Sequence, residues 1–310
     1  MLFFTEADVR RLLPMPVAIA QMRRVFRDLA SGSAQNQPRR RLVLPTGSVL
    51  HSMAGAFGRY FGIKVYSTNL RYGAHFLFLL YSAEDAAPLA LFEANYLGQI
   101  RTGAATGYAT DLLARADADT LAVIGSGFQA RTQVEAVLSV RPVRDVRVWS
   151  RKQENRERFA EECARELGAP VRPAASAEEA VRGAGIVVTA TNSRNPVFED
   201  HWIDPGTHIN AIGSNQANRR ETPPELVRRA DLIAVDSIEQ AQMEAGDLLL
   251  ALDQADWQRV KELKDLSGRP STRSITLFKS VGLGVEDVAA AAYVYESAGE
   301  GTRQLPVFHS

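Results

Sequence analysis

The sequence predicts an α/β protein with a doubly wound parallel sheet and, ahead of it, a second α+β domain. After Asp119, short apolar runs that suit strands alternate with helical stretches of about ten to fifteen residues. From Arg39 to about Leu91, strand-like runs instead follow one another with only turn residues between them. The alternating part is typical of a parallel sheet covered by helices, and the earlier part indicates a separate sheet-bearing unit.

The N-terminal region predicts two helices followed by a series of strands. Thr5 and Asp8 have the spacing of a capping box, and a second, amphipathic helix is expected from about Pro16 to Ala30. A helix of small residues is expected from Gly98 to Ala114, where the glycines indicate either close packing or close approach of a ligand. The strands expected between these helices are Arg41–Leu44, Val49–Met53, Gly62–Tyr66, Phe76–Tyr81 and Leu89–Phe92.

The second half of the chain predicts the parallel sheet itself, and an Ala-rich helix over Val285–Ser297 is expected to return to the first domain. The predicted domains are therefore residues 1–112 with 288–310, and residues 113–287. The expected strands are Thr120–Ile124, Val146–Trp149, Pro170–Arg172, Ile186–Thr189, His208–Ile212, Leu232–Val235 and Ile275–Phe278, and the expected helices lie at about 128–140, 153–167, 176–182 and 223–230.

Composition and charge are typical of a globular protein and limit the classes of binding partner that we expect. Of 310 residues, 45% are hydrophobic and 23% are charged, and 36 basic side chains balance 36 acidic ones. A formal net charge of zero gives no electrostatic reason to expect binding to nucleic acid or to an anionic membrane. The single cysteine, Cys163, excludes a disulfide within the chain, and no apolar run approaches the ~20 residues of a membrane span. We therefore expect a soluble, cytoplasmic protein.

The strongest local signal is Gly125-Ser126-Gly127-Phe128-Gln129-Ala130, a GxGxxA pattern that lies between an apolar strand and a helix. In such a pattern the first glycine permits a tight turn, the second lets the backbone approach a pyrophosphate, and the alanine allows helix and strand to pack closely. Unpaired N–H groups at the start of the helix then bind the pyrophosphate. Because a βα series follows, the pattern predicts a Rossmann-type dinucleotide-binding domain.

The end of the second expected strand distinguishes between the two nicotinamide cofactors. Enzymes that use NAD usually have a carboxylate there, which binds the ribose 2′-hydroxyl. Here the strand is followed by Ser150-Arg151-Lys152, with no Asp or Glu at this point. Hydroxyl and cationic groups suit a 2′-phosphate, so we expect NADP(H) to be preferred and NAD(H) to be possible. The alternative is that Arg151 and Lys152 only solvate the start of a helix.

Four further segments accompany the glycine motif along the chain. They are Gly62-Ile63-Lys64-Val65, Arg101-Thr102-Gly103-Ala104, the run from Pro205 to Gly213 (PGTHINAIG) and the run from Phe278 to Asp287 (FKSVGLGVED). In this order, the five segments resemble the ornithine cyclodeaminase/mu-crystallin family over nearly the whole chain. The resemblance implies a homodimer, with the N-terminal domain and the last helix providing dimerisation and substrate binding. It also implies hydride exchange between a nicotinamide and a substrate carbon that carries nitrogen.

The resemblance assigns roles to individual residues. The family's substrate arginine falls on Arg40 or Arg41: the spacing to the following proline favours Arg41, and the preceding Gln-Pro pair favours Arg40. Lys64 and Arg101 match a lysine and a second arginine. Guanidinium groups bind a carboxylate through two donors, and a lysine supplies a charge or a proton near the reacting nitrogen. At the cofactor, the resemblance implies Thr102 near the phosphates and Thr189, Thr191, Gly213, Val281, Gly282 and Leu283 around the nicotinamide.

One position departs from the cyclodeaminases of this family. They carry an aspartate shortly after the strand and glycine that match Asn210–Gly213, and the matching residue here is Asn215, whose amide orients a substrate but takes up no proton. Deaminating cyclisation needs a group that manages protons while ammonia leaves. Imine reduction needs mainly a hydride donor that is correctly positioned against the imine carbon, and a proton donor such as Lys64. Glu93, at an expected strand end, is either a substrate-binding carboxylate or a solvated residue.

These observations predict an oxidoreductase that reduces an α-imino acid to an amino acid, or runs in reverse as an amino-acid dehydrogenase. Two alternatives stay open: an ornithine- or lysine-type cyclodeaminase, and a non-catalytic binder of NADP(H) and a small ligand, like mu-crystallin. The presence of Lys64 and of the arginines favours an enzyme. The five histidines show no metal-ligand spacing, and no GxSxG motif occurs, so neither metal nor acyl-transfer chemistry is expected.

Overall fold

The structure, a computed structural model, describes residues 1–299 and 301–306, which form two compact units. The first unit comprises Met1–Arg101 and Gly282–Ser310, and the second comprises Thr102–Val281. The first boundary falls inside a long helix, and Arg101, the last residue before it, is bound through its side chain by carboxylates of the C-terminal segment of the same unit. The roles predicted for these units, substrate binding and dinucleotide binding, remain predictions at this point.

The first unit begins with two helices and continues with a series of strands. The predicted capping box is present, since the Thr5 hydroxyl accepts from the Asp8 N–H at 3.3 Å and the Asp8 carboxylate accepts from the Thr5 N–H at 3.0 Å. In chain order, the elements are β1 (Leu2–Phe4), α1 (Glu6–Leu12), α2 (Met15–Ala30), β2 (Gln35–Asn36), β3 (Arg40–Val43), β4 (Val49–Phe57), β5 (Tyr60–Asn69), β6 (Gly73–Ser82), β7 (Pro88–Glu93) and the start of α3 (Asn95–Leu113), which belongs to the second unit from Thr102 onward.

The strands of this unit form one mainly antiparallel sheet. Its order is β1-β7-β6-β5-β4-β2, β3 pairs with β4, and β1 lies parallel to β7. Side chains alternate between the two faces, so that Tyr60, Lys64 and Tyr66 of β5 are buried while Phe61 and Ser67 are exposed. The last helix of the chain returns to this unit and packs on β4 and β5, on the face that contains Lys64.

The second unit contains the alternating series that the sequence predicts. In chain order, its elements are β8 (Thr120–Ile124), α4 (Phe128–Leu138), β9 (Asp145–Trp149), α5 (Gln153–Leu167), β10 (Val171–Pro173), α6 (Ala177–Val181), β11 (Ile186–Thr189), β12 (His208–Ala211), α7 (Pro224–Arg229), β13 (Leu232–Val235), α8 (Ile238–Glu244), α9 (Gly246–Leu249), β14 (Val260–Glu262) and β15 (Thr276–Lys279), after which α10 (Gly284–Glu296) belongs to the first unit.

The sheet of the second unit is parallel throughout, with the strand order β10-β9-β8-β11-β12-β15-β13-β14. The order reverses at β8, because β9 and β10 lie on one side of it and β11 on the other. In doubly wound sheets, ligands bind outside the carboxyl ends of the strands near such a reversal. The predicted class, a Rossmann-type doubly wound parallel sheet plus a second α+β domain, is confirmed.

The helices and strands that the sequence patterns did not predict are all short. They are β1, β2, α8, α9 and β14, of which the longest, α8, has seven residues, so that a periodic pattern is weak in each of them. The longer elements lie close to their predicted positions; the last helix, for example, spans Gly284–Glu296. Within the described residues, no helix is both long and apolar enough to cross a bilayer.

Candidate active site

The glycine-rich turn lies between β8 and α4, at the carboxyl end of a central strand. Gly125 has a φ of +112°, and a Cβ there would lie 2.4 Å from the carbonyl oxygen of Ala190, so the turn requires glycine. Gly127 is the N-cap of α4, where the positive end of the helix dipole favours an anion, and it places no side chain between the turn and such a ligand. A Cβ added at Gly127 would have no neighbour within 4 Å. The turn therefore fits a dinucleotide pyrophosphate.

The residues predicted to distinguish NADP(H) from NAD(H) lie beside this turn. The hydroxyl of Ser126 donates to the hydroxyl of Ser150 at 2.9 Å, which joins the glycine turn to the end of β9. Arg156 of α5 donates to the carbonyl oxygen of Ser150 at 3.0 Å. Arg151 and Lys152 follow and are exposed. This corner of the second unit thus presents hydroxyls and cations where NAD enzymes usually present a carboxylate.

The residues predicted around the nicotinamide fall into two groups. Thr189, Thr191, Gly213 and Val281 lie at or just after the carboxyl ends of β11, β12 and β15, in the second unit. Thr189 is fully buried, and its hydroxyl has no hydrogen-bond partner among residues 1–299 and 301–306. Such a buried polar atom fits a cofactor that supplies the missing partner. Gly282 and Leu283, the second group, belong to the first unit. Thr102, which was predicted near the phosphates, is buried on α3 and belongs to the second unit.

A buried charged network that the sequence analysis missed supports these loops. Lys279, at the end of β15, lies 2.9 Å from a carboxylate oxygen of Asp247, and all of its side chain is buried. Glu221, also fully buried, accepts hydrogen bonds from the backbone N–H groups of Thr191 and Gly213. Burial and the neighbouring Asp247 carboxylate raise the pKa of Glu221 to about 7. The network therefore connects the carboxyl ends of three neighbouring strands.

Lys64 is the centre of a second buried group of charges, in the first unit. Its ammonium lies 2.7 and 2.9 Å from the two carboxylate oxygens of Asp287 on α10, and its side chain is only 3% exposed. Burial, with the nearby Arg101 guanidinium, lowers the pKa of Lys64 to about 8, although Asp287 opposes this shift. An amine with such a pKa exchanges protons near neutral pH, which suits a general acid or base.

Arg101 shares the same carboxylates. Its Nε donates to Asp287 at 3.1 Å and its Nη1 to Glu286 at 2.9 Å. Burial would lower the pKa of Arg101, but the two carboxylates hold it above its ordinary value, so the guanidinium stays charged. Gly282 has a φ of +79°, and a Cβ there would lie 2.5 Å from Nη1 of Arg101. The predicted pair of Lys64 and Arg101 is thus brought together, within a network of opposite charges.

The strand register places Arg40 and Arg41, the two candidates for the substrate arginine, on opposite faces of the sheet. Arg41 pairs with His51, which pairs with Tyr66, and this row lies on the same face as Lys64. Arg40 pairs with Ser52 and therefore lies on the opposite face. Arg39, just before β3, is 5% exposed, and its Nε lies 3.3 Å from the sulfur of Met53, the residue paired with Lys64. The geometry favours Arg41 over Arg40 and adds Arg39, which the sequence analysis did not single out.

Glu93, predicted as a possible substrate-binding carboxylate, lies elsewhere in the first unit. It pairs with Leu77, which pairs with Val65, so it belongs to the face opposite Lys64. Its carboxylate accepts from the backbone N–H of Glu6 at 2.9 Å, at the start of α1. This is a structural contact at a helix N-terminus, and we leave Glu93 out of the candidate site. Asn215 is half-buried in the loop after β12, in the second unit.

The residues that sequence reasoning missed are charged side chains whose partners lie far away in the chain. They are Arg39, Glu286 and Asp287 in the first unit, and Glu221, Asp247 and Lys279 in the second. The FKSVGLGVED segment, which contains Lys279, Glu286 and Asp287, was identified by its resemblance to the family. The resemblance marked these three residues but assigned no function to them. In the described part of the chain, no group of three or more His, Cys, Asp or Glu side chains could hold a metal ion.

The parallel sheet and the glycine-rich turn at its carboxyl edge define the class of Rossmann-type dinucleotide-binding proteins. The chain belongs to the ornithine cyclodeaminase/mu-crystallin family, whose sequence model matches residues 1–302. A Delta(1)-pyrroline-2-carboxylate reductase of Bacillus cereus is 40% identical over 230 residues, which cover 72% of this chain and 70% of that protein. The predicted family and the predicted class, an oxidoreductase, are confirmed.

Two solved structures extend the similarity to nearly the whole chain. The Delta(1)-pyrroline-2-carboxylate reductase of Thermococcus litoralis, in complex with NADH and L-proline, has a TM-score of 0.91 and 34% identity over 96% of this chain and 97% of that one. An archaeal alanine dehydrogenase dimer with bound NAD has a TM-score of 0.89 and 32% identity over 96% of this chain and 95% of that one. Relatives of the same fold therefore bind a nicotinamide dinucleotide.

Proposed function

We propose that the protein reduces a small α-imino acid (a ketimine) to the amino acid with a nicotinamide cofactor, and that it also catalyses the reverse dehydrogenation. The observation that carries this proposal is the buried ion pair between Lys64 and Asp287, with Arg101 bound to the same carboxylate. Relatives named as a pyrroline-2-carboxylate reductase and an alanine dehydrogenase support it, since both reactions interconvert C=N and CH–N at the α-carbon of an acid.

The charges of the Lys64 group suit a substrate with one carboxylate. Arg39, Lys64 and Arg101 carry three positive charges, and Glu286 and Asp287 carry two negative ones. One substrate carboxylate compensates the remaining positive charge, and a guanidinium is well shaped to bind it. Arg41, on the same face of the sheet, is exposed to solvent and so stays outside this balance of buried charges, but it is a further ligand for that carboxylate. A neutral or cationic substrate without a carboxylate would leave the remaining positive charge of the Lys64 group uncompensated.

Lys64 is the proton donor in the proposed reduction. A reduced nicotinamide held by the glycine turn and the loops after β11 and β12 would supply a hydride for the imine carbon, and the nitrogen would then need one proton to become an amine. The ammonium of Lys64 donates that proton, and Asp287 holds the ammonium in place through both carboxylate oxygens. In the dehydrogenation direction, the neutral amine of Lys64 takes the proton back. Asn215 orients the substrate without taking part in proton transfer.

We propose NADP(H) as the preferred cofactor. Ser150 is bonded to the glycine turn, and Arg151 and Lys152 stand exposed after β9, so the groups at the expected ribose position donate hydrogen bonds and carry positive charge. Such groups recognise a 2′-phosphate. The carboxylate that usually binds the 2′-hydroxyl of NAD is missing from this position. NAD(H) remains a usable second cofactor, as the NAD(H)-bound structures of relatives suggest. A cytoplasmic location stays a prediction.

We propose that the protein acts as a homodimer through the sheet of the first unit. The face opposite Lys64 exposes large apolar side chains, among them Leu42 at 60%, Leu50 at 45% and Leu77 at 50%. The register places Leu42 opposite Leu50, so these two residues share one face. Exposed apolar patches of this kind mark protein–protein contacts, and one relative of the same fold is described as a dimer.

The test of the proposed activity is an absorbance assay with purified protein, NADPH or NADH, and a panel of imino acids. The panel contains pyrroline-2-carboxylate, piperideine-2-carboxylate, and pyruvate, glyoxylate or oxaloacetate with ammonia or methylamine. We expect cofactor oxidation with at least one cyclic or linear imino acid, faster with NADPH than with NADH. Release of ammonia from ornithine or lysine at catalytic cofactor, with no oxidation across the panel, would instead establish a cyclodeaminase. Cofactor binding without either reaction would establish a binding protein.

A further inference from the structure

Glu221 bridges two loops through both of its carboxylate oxygens. Oε1 accepts the backbone N–H of Thr191 at 2.6 Å, just after β11, and Oε2 accepts the backbone N–H of Gly213 at 2.7 Å, just after β12. The two loops are in close contact at this point, because a Cβ added to Gly213 would lie 2.2 Å from the backbone nitrogen and oxygen of Thr191. The Glu221 side chain is fully buried, and Thr191 and Gly213 are themselves partly buried, so the two contacts are partly shielded from water.

The position of Glu221 is itself fixed by a second buried carboxylate. Asp247 accepts the backbone N–H of Glu221 at 2.6 Å, and it also accepts the N–H and hydroxyl of Thr222, each at 2.9 Å. Lys279 lies 2.9 Å from Asp247 and donates to the carbonyl oxygen of Ser214 at 2.6 Å. The loop after β12 is therefore held at Gly213 by Glu221 and at the next residue by Lys279.

We propose that Glu221, in its ionised form, is a positioning residue that holds the Thr191 and Gly213 loops in the conformation that receives the nicotinamide end of the cofactor. This inference rests on the proposed function in one respect, namely that these two loops bind the cofactor. An ionised carboxylate offers an acceptor to each N–H, whereas a protonated one carries a hydrogen on one oxygen. Protonation of Glu221 therefore weakens one of the two contacts and loosens the corresponding loop.

The charged groups that face Glu221 make its protonation sensitive to neutral pH. Asp247 and Lys279 are these groups, and they act in opposite directions: Asp247 raises the pKa of Glu221 and Lys279 lowers it. Together with burial, they leave a pKa of about 7. Because the folded pKa lies above the ordinary value of 4.5, Glu221 is about half ionised near pH 7, so the bridge becomes complete as the pH rises further and is lost as the pH falls.

The decisive variant is Glu221→Gln, which keeps the size of the side chain but replaces one acceptor oxygen with an NH2 donor. One of the two partly buried backbone N–H groups then faces a donor instead of an acceptor, which removes that contact. The control is Glu244→Gln, which removes another fully buried carboxylate of the same unit, one that accepts from the Gln240 side chain at 2.7 Å. Circular dichroism and thermal unfolding establish that each variant is folded.

The readout is the dissociation constant of NADH, from its fluorescence, between about pH 5.5 and 8.5. NADH is chosen because NADPH carries a 2′-phosphate that itself titrates near pH 6. In the wild type and in Glu244→Gln, we expect binding to weaken as the pH falls through about 7. In Glu221→Gln, we expect binding about tenfold weaker at pH 8, with little further change on acidification. Equal affinity and an equal pH profile in Glu221→Gln and the wild type would overturn the inference.

Hydrogen exchange on the wild type tests the bridge without any variant. The protection of the Thr191 and Gly213 amides, corrected for the intrinsic rate at each pH, is expected to fall between about pH 8 and pH 6. Unchanged protection would overturn the inference even if Glu221→Gln failed to fold. If the wild type bound neither NADH nor NADPH, the proposed function would fail, and the exchange measurement would still decide whether Glu221 holds the loops.

Discussion

At the scale of single residues, Lys64 combines the two properties that a proton donor to an imine needs. It is held in one position, since both oxygens of Asp287 lie within 2.9 Å of its ammonium. Its pKa is also lowered to about 8, so both protonation states are accessible under physiological conditions. A surface lysine, with an ordinary pKa near 10.5, would have neither the fixed position nor a comparable amount of the neutral form.

The activity of the enzyme is expected to follow the protonation of Lys64. Reduction requires the ammonium, so kcat/KM for the imino acid should fall as the pH rises through about 8. Dehydrogenation requires the neutral amine and should rise over the same range. Lys64→Ala should lower the rate of reduction by about 10²–10⁴-fold, which is the usual contribution of a general acid, and leave cofactor binding nearly unchanged. Lys261→Ala, at an exposed site in β14, is the matched control.

Asp287→Asn tests whether the alkaline decline in activity belongs to Lys64. The Asp287 carboxylate raises the pKa of Lys64 against the effects of burial and Arg101, so its removal should lower that pKa further. The reductive pH profile of this variant should therefore fall at a lower pH than that of the wild type. A profile that falls at the same pH in both proteins would assign the titration to another group.

At the scale of structural elements, the sequence predicted what is periodic or local. The strand over Gly62–Tyr66, the capping box at Thr5 and the glycine turn at 125–130 all lie where the patterns indicate. Ion pairs between distant segments leave no such pattern: Lys64 and Asp287 are 223 positions apart in the chain. The choice between Arg40 and Arg41 needed the strand register, because one position along a strand decides which face a side chain lies on.

The loop after β9 should determine the choice of cofactor. Arg151 and Lys152 are exposed there and are proposed to bind the 2′-phosphate, so Arg151→Ala combined with Lys152→Ala should raise KM for NADPH about tenfold. KM for NADH should stay nearly unchanged, because NADH has no phosphate at that position. Arg165→Ala, an exposed site on α5, controls for a general loss of positive charge. A wild-type enzyme that prefers NADH would contradict this role for the two cations.

At the scale of the whole molecule, the same antiparallel sheet is proposed to serve two purposes on its two faces. One face carries Lys64 and its buried partners, and the other exposes Leu42, Leu50 and Leu77. A paired sheet would bury these apolar side chains and would also stiffen the strands whose opposite side chains are proposed to bind the substrate. Dimerisation is therefore expected to influence catalysis as well as stability.

Leu77→Glu tests this coupling, because a charge in the middle of an apolar contact has no partner and disfavours association. Light scattering after size-exclusion chromatography should give about twice 34.0 kDa for the wild type and a single-chain mass for the variant. Leu250→Glu is the control, since Leu250 is 46% exposed, similar to the 50% of Leu77, but lies in the second unit. If Leu77→Glu became monomeric and kept full activity, the two faces of the sheet would act independently. A variant that stayed dimeric would place the contact elsewhere on the molecule.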